Sequence, residues 1–117
     1  MAGSLGEFEQ LTLLAVLRLG EDAYGVTVRQ AIEEVTGRDV SAGAVYTTLA
    51  RLEKRALVSS RVGETVPERT GQRRKYYKVE PEGAAMVFES VHAVSRMVDG
   101  LAPQLEALAQ RAGGGDE

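Results

Sequence analysis

Cysteine is absent from the chain. Disulfides and thiolate metal sites are thereby excluded, and a reducing compartment is compatible with the composition. Histidine occurs once, at His92, and one imidazole does not build a zinc site. No metal and no cofactor are expected. Tryptophan is missing too, so an effector site based on indole stacking is not available. No run approaches ~18 consecutive apolar residues, and no membrane span or membrane partner is expected. The first ten residues, MAGSLGEFEQ, are acidic and lack a basic segment followed by an apolar one, so they are not read as a signal peptide. The expected address is the cytoplasm, more narrowly the nucleoid. Enzyme signatures are missing as well. There is no Gly-rich phosphate loop, no His–carboxylate set and no G-x-S-x-G elbow, so no catalytic residue is expected.

What is present suffices for one domain of ordinary size. The 117 residues are 44% apolar, enough for a packed core. The stretch Ser41 to Val79 organises the rest. Val45, Leu49, Leu52 and Ala56 recur at three- and four-residue steps and share one helical face. Ser41 stands where an N-cap is wanted. The opposite face carries Ala42, Gly43, Tyr46, Thr47, Ala50, Arg51 and Lys54. It is small and donor-rich, as a helix entering a DNA major groove requires. After Leu57 the period changes. Val58 to Val62 and Arg73 to Val79 are expected as strands, joined by a loop holding Gly63, Pro67 and Gly71. Alternation puts Arg73, Lys75, Tyr77 and Val79 on one side of the second strand and Arg74, Tyr76 and Lys78 on the other. Tyr77 and Val79 are expected to reach the core, but alternation alone does not decide which tyrosine is buried. Helix, then hairpin with a basic loop, is the outline of a winged helix-turn-helix.

Charge supports this outline. Residues 38–78 hold ten Lys/Arg against four acids, a net of +6. Residues 1–37 carry −4 and residues 79–117 carry −5, so a chain of net charge −3 keeps its positive charge in one segment. The local field, not the global charge, sets a contact with phosphates. Three adjacent cations at Arg73, Arg74 and Lys75 repel one another unless neutralised, which favours a wing contact over a merely solvated face. Arg51 is read as a phosphate contact from the helix.

Either side of this stretch the periodicity is helical. Residues 5–19 carry a stripe of Leu5, Phe8, Leu11, Leu14, Ala15 and Leu19, widened by Leu13, Val16 and Leu17. A helix apolar on most sides is buried on most sides, against its own chain or another subunit. Gly20 is expected to end it. A second helix over 23–36 points Val28, Ala31, Ile32 and Val35 inward, with Arg29, Glu33 and Glu34 facing water. Pro81 opens the last helix. There Ala84, Val87, Val91, Val94, Val98, Leu101, Leu105 and Leu108 follow the a/d repeat of a coiled-coil seam, which argues for pairing between subunits. Gly100 and Pro103 predict a kink or restart. The expected fold is mainly α with a small β-hairpin. Residues 5–80 form the winged helix-turn-helix, 81–112 a dimerisation helix and 113–117 a disordered tail. The dimer interface is expected at Leu5, Phe8, Val87, Val91, Val94, Val98, Leu101 and Leu105.

Over roughly residues 5–85 the chain resembles the PadR-like transcriptional regulators. The resemblance lies in Tyr24–Gly25, in Ser41–Ala42–Gly43–Ala44–Val45–Tyr46, in Leu49 to Val58, in Arg73 to Val79 and in Pro81–Glu82–Gly83. Its single C-terminal helix is similar to the short subfamily. The resemblance implies a dimeric winged-helix protein, usually a repressor of nearby genes, often released by a small-molecule effector. Two reading helices related by the two-fold axis of such a homodimer are expected on a pseudo-palindromic double-stranded DNA operator. The resemblance also implies DNA contacts at Ser41, Gly43, Tyr46 and Thr47, and at Arg73, Arg74 and Lys75. Ala42 and Thr47 stand where the family often carries proline, and Glu80 where it often carries threonine. The alternative is a winged-helix interaction module without DNA, against which the basic segment argues.

Overall fold

The computed structural model describes residues 4–65 and 73–114. In chain order it has α1 (Glu7–Leu19), a single 3-10 turn (Gly20–Asp22), α2 (Gly25–Thr36), α3 (Ala42–Lys54), β1 (Val58–Thr65), β2 (Arg73–Val79), α4 (Pro81–Val98) and α5 (Ala102–Gly114). The mainly α architecture with one two-stranded antiparallel sheet is the one expected.

Helix α1 starts at Glu7, where the Glu9 carboxylate accepts the Gly6 N–H at 2.9 Å. Leu5 lies before it, not within it, and is buried. The deepest residues of α1 are Thr12, Leu13, Ala15 and Val16, while Leu17 is exposed. The face that a periodic stripe would pick is therefore shifted, because an almost wholly apolar helix gives little contrast. Thr12 is fully buried at no penalty, since its hydroxyl donates to the Phe8 carbonyl at 2.8 Å. Gly20, at φ +60°, ends the helix as expected.

Helix α2 ends at Gly37, left-handed at φ +74°. Val28 and Ile32 are buried, but Val35, expected inward, is 59% exposed. It has the right phase, yet no described residue covers it. Arg29 and Glu33, expected simply in water, clamp the turn into α3. Arg29 Nε donates to the Val40 carbonyl at 2.7 Å, and Glu33 Oε2 accepts the Val40 N–H at 3.0 Å.

Ser41 caps α3, its Oγ accepting the Ala44 N–H at 3.1 Å. Val45, Leu49 and Leu52 are wholly buried. Ala56 does not share their face. It lies past the helix end at φ +63°, with its N–H on the Glu53 carbonyl and the Leu57 N–H on the Leu52 carbonyl, both at 2.9 Å. That is a Schellman closure with alanine where glycine is usual.

Strand β1 runs to Thr65, past the expected end at Val62, and pairs Val58 with Val79 and Arg61 with Tyr76. Gly63 therefore stands in the strand, and a Cβ there would come within 2.4 Å of the Tyr76 ring. Pro67 and Gly71 of the expected loop lie outside the described residues. Tyr77 is buried and Val79 packs against the core. Helix α4 begins with Pro81, and its Gly83 sits so close to the α3–β1 junction that a Cβ would lie 2.3 Å from the Leu57 carbonyl oxygen. The expected break is a full stop and restart. Asp99 is extended, Gly100 has φ +83°, and Pro103 falls in the first turn of α5, where no N–H is needed. Gly113 and Gly114, expected in a disordered tail, belong to α5; residues 115–117 lie outside the described residues.

Candidate nucleic-acid interface

The outer face of α3 is open. Ala42, Gly43, Tyr46, Thr47, Ala50, Arg51 and Lys54 are all exposed, opposite the buried Val45–Leu49–Leu52 face. The Ser41 hydroxyl, having accepted one bond, keeps its own hydrogen to donate. Tyr46 is 51% exposed, with one edge of its ring laid over Gly25. A Cβ at Gly25 would stand 2.4 Å from that ring, so the Tyr24–Gly25 pair makes the slot that aims Tyr46.

The hairpin is bolted to the same region. The Tyr77 N–H donates to the Ala23 carbonyl at 2.8 Å, and Tyr24 forms a bridge with Tyr76. The two rings meet edge to face at 5.4 Å. The Arg74 guanidinium lies 4.3 Å from the Tyr24 ring centre, and Arg61 lies 4.6 Å from the Tyr76 ring centre. Two arginines thus flank two tyrosines, which extends the hairpin from the start of α2.

Charge on this face is arranged by exclusion. Arg29, Arg38 and Arg55 pair with Glu33, Glu7 and Glu9, away from the outer face of α3. Arg51, Lys54, Arg73 and Lys78 form no ion pair among the described residues, which leaves their charge for solvent or a polyanion. Lys75, expected beside Arg73 and Arg74 on DNA, is 3.1 Å from Glu53 of α3. The Ser60 hydroxyl and then the Lys75 ammonium hold the Glu53 carboxyl below the usual carboxylate range, and Glu53 holds Lys75 above its own. Burial pushes the Tyr77 phenol up. Sequence reasoning missed Tyr24 and Tyr76 as stacking platforms and Glu53 as a partner of the hairpin. The Tyr24–Gly25 dipeptide was a visible sign of Tyr24 alone.

The residues expected at a subunit interface divide in two. Leu5 and Val87 are 7% and 3% exposed in the single chain, so they serve its own core and keep almost no surface for a partner. Phe8 is half-buried against that core. Val91, Val94, Leu101 and Leu105 are exposed and Val98 half-buried. Phe88, Met97 and Leu108 are exposed with them, at 66%, 76% and 54%. Phe88 stacks on His92 at 5.4 Å. A cavity of about 420 Å³ lies beside the hairpin, lined by Gly20, Glu21, Ser59, Arg61, Tyr76 and Lys78 among others. Among the described residues no helix is long and apolar enough to cross a membrane, and no group of acidic and histidine side chains is placed to hold a metal ion.

The family model of the transcriptional regulator PadR-like family matches residues 13–89. The chain belongs to the PadR-like family. As a PadR-like protein it is a DNA-binding transcriptional regulator and not an enzyme. Solved structures agree in fold. A PadR family transcriptional regulator from Eggerthella lenta is 26% identical with a TM-score of 0.64, over 86% of this chain and 87% of that one. A PadR-like transcriptional regulator from Bacillus cereus is 26% identical with a TM-score of 0.62, over 80% and 89%. RosR of H. salinarum, at 20% identity, shares the fold with a TM-score of 0.65 over 97% and 94%. A search of curated proteins returns no match.

Proposed function

We propose that this PadR-like regulator works as a homodimer on a pseudo-palindromic operator, with α3 in the major groove and the hairpin on the phosphates. The observation that carries the reading is the coincidence of two surfaces on one chain. The open, small-residue face of α3 adjoins cations without ion pairs among the described residues. The α4–α5 stripe exposes apolar side chains that a monomer would leave in water. Ser41, Gly43, Tyr46 and Thr47 face base edges, while Arg51, Arg73 and Arg74 neutralise phosphates. A two-fold axis through the α4–α5 stripe sets the two reading helices about 34–36 Å apart, one turn of DNA. The regulator acts as a repressor in the cytoplasm, on the nucleoid. Its effector is a small molecule that favours a different dimer spacing and releases DNA by shifting the population of dimer geometries.

The test is fluorescence anisotropy with duplex DNA from upstream of the gene, beside a scrambled duplex, at one stated salt concentration. A preference on the order of 10³ for the upstream duplex is expected. Binding to neither duplex at low salt would leave the interaction-module reading in its place.

A further inference from the structure

The docking face carries a carboxylate that phosphate binding does not ask for. Glu53 stands in the last turn of α3, between the reading helix and the hairpin. A negative charge there weakens the field that attracts DNA. Both of its oxygens are occupied. Oε2 accepts from the Ser60 hydroxyl on β1 at 2.6 Å, and Oε1 lies 3.1 Å from the Lys75 ammonium on β2. Ser60 fixes the carboxylate from one strand while Lys75 reaches it from the other. The carboxylate therefore stands where a phosphate oxygen would stand for that lysine. It is attached to the protein, so DNA has to displace it before gaining the charge. Arg74, next along the strand, stacks on Tyr24, and Arg73 has no ion pair among the described residues. Of the three adjacent cations, Lys75 is the one neutralised by the reading helix itself.

We propose that Glu53 is a positioning residue that limits the sequence-independent part of DNA affinity by holding the Lys75 ammonium back from phosphate. Affinity for non-operator DNA follows the number of phosphates neutralised, and each one adds a salt-dependent increment common to every sequence. Withholding one cation lets the regulator leave wrong sites sooner while α3 keeps its base contacts. The proposal rests on α3 and the hairpin being the DNA-docking face.

The experiment measures binding to the scrambled duplex across a series of salt concentrations. Glu53→Gln keeps the side-chain size and an oxygen for the Ser60 hydroxyl, but releases Lys75. It is expected to steepen the slope of log K against log salt by about 0.9, the value of one phosphate. Adding Lys75→Gln to Glu53→Gln is expected to cancel that gain. An unchanged slope in Glu53→Gln overturns the proposal. So does a gain that survives Lys75→Gln, because simple removal of a negative charge would then explain it. Arg73→Ala runs beside them and is expected to flatten the slope by a similar amount. A flattened slope with Arg73→Ala and no gain with Glu53→Gln defeats the Glu53 role alone. No change with either Arg73→Ala or Arg51→Ala shows that the docking face itself lies elsewhere, and the proposal falls with it.

Discussion

Ala56 bears a cost that its neighbours do not. A left-handed alanine puts its Cβ close to the following carbonyl, at roughly 1 kcal/mol. Ala56→Gly removes that contact and is expected to stabilise the protein by up to about 1 kcal/mol, read as a raised denaturant midpoint at constant m-value. Glycines show the opposite logic. Gly25→Ala drives a methyl into the Tyr46 ring and is expected to cost about 1–3 kcal/mol of stability, and DNA affinity with it. Gly43 has nothing within 4 Å of a would-be Cβ, and it is helical. Gly43→Ala is therefore expected to gain about 0.5–1 kcal/mol of stability while weakening operator binding, because on the proposed docking the added methyl stands between α3 and the groove. A combined melting and anisotropy series separates the two effects. These residues also show where sequence patterns stop. The outer face of α3 was legible because apolar and polar positions alternate cleanly at the helical period. Ala56 was not, since alanine extends a helical pattern past its end without a signal. Val35 kept its phase and lost its neighbour, which periodicity does not encode.

Between α3 and the hairpin, apolar packing of Val58 and Tyr77 is supplemented by the Glu53–Lys75 pair, whose response to pH follows from its charges. Glu53 has a lowered pKa, so its contribution is present above the unfolded carboxylate value near ~4.3 and is lost as pH falls through the folded one. Lys75 has a raised pKa, so its contribution is present below about 10.4 and is lost as pH rises through the folded value. Tyr77 acts in the same direction, because above about pH 10 the unfolded phenol ionises while burial resists ionisation in the folded one. The side chains of Lys75 and Glu53 are 51% and 34% exposed, so screening keeps the effect below about 1 kcal/mol. Amide exchange of β2 is expected to be slowest between about pH 5 and 10 after correction for intrinsic rates. Faster exchange on acidification, unaffected by Glu53→Gln, would place the attachment elsewhere. No local pattern announced this pair. Glu53 and Lys75 are brought together only when β2 folds back beside β1, whereas the two strands themselves showed in their β-branched and aromatic content.

The Cα radius of gyration is 17.2 Å, against about 13 Å for a compact chain of this length. Its extents, 54 × 40 × 20 Å, describe a core with an arm. The a/d repeat in that arm was readable, but the repeat alone did not show that Val87 turns into the chain's own core while Val94 is exposed. On the proposed dimer, Val94→Glu is expected to halve the mass seen in sedimentation, by burying a charge in the subunit contact, and to weaken operator binding at least tenfold. An unchanged mass would move the contact off α4. The stop at Asp99–Gly100 separates α5 from α4. Every described side chain of α5 is exposed, and the helix is 13 residues long, a length at which a lone helix is marginal in water. On the dimeric reading its order is supplied by the second subunit, so the amount of helix per molecule becomes a function of dilution. Far-ultraviolet circular dichroism, followed downward through the dissociation constant, is expected to lose the share belonging to α5 while the rest of the spectrum holds. In the cell, newly made chains of a scarce regulator would then carry an unformed arm until a second copy arrives.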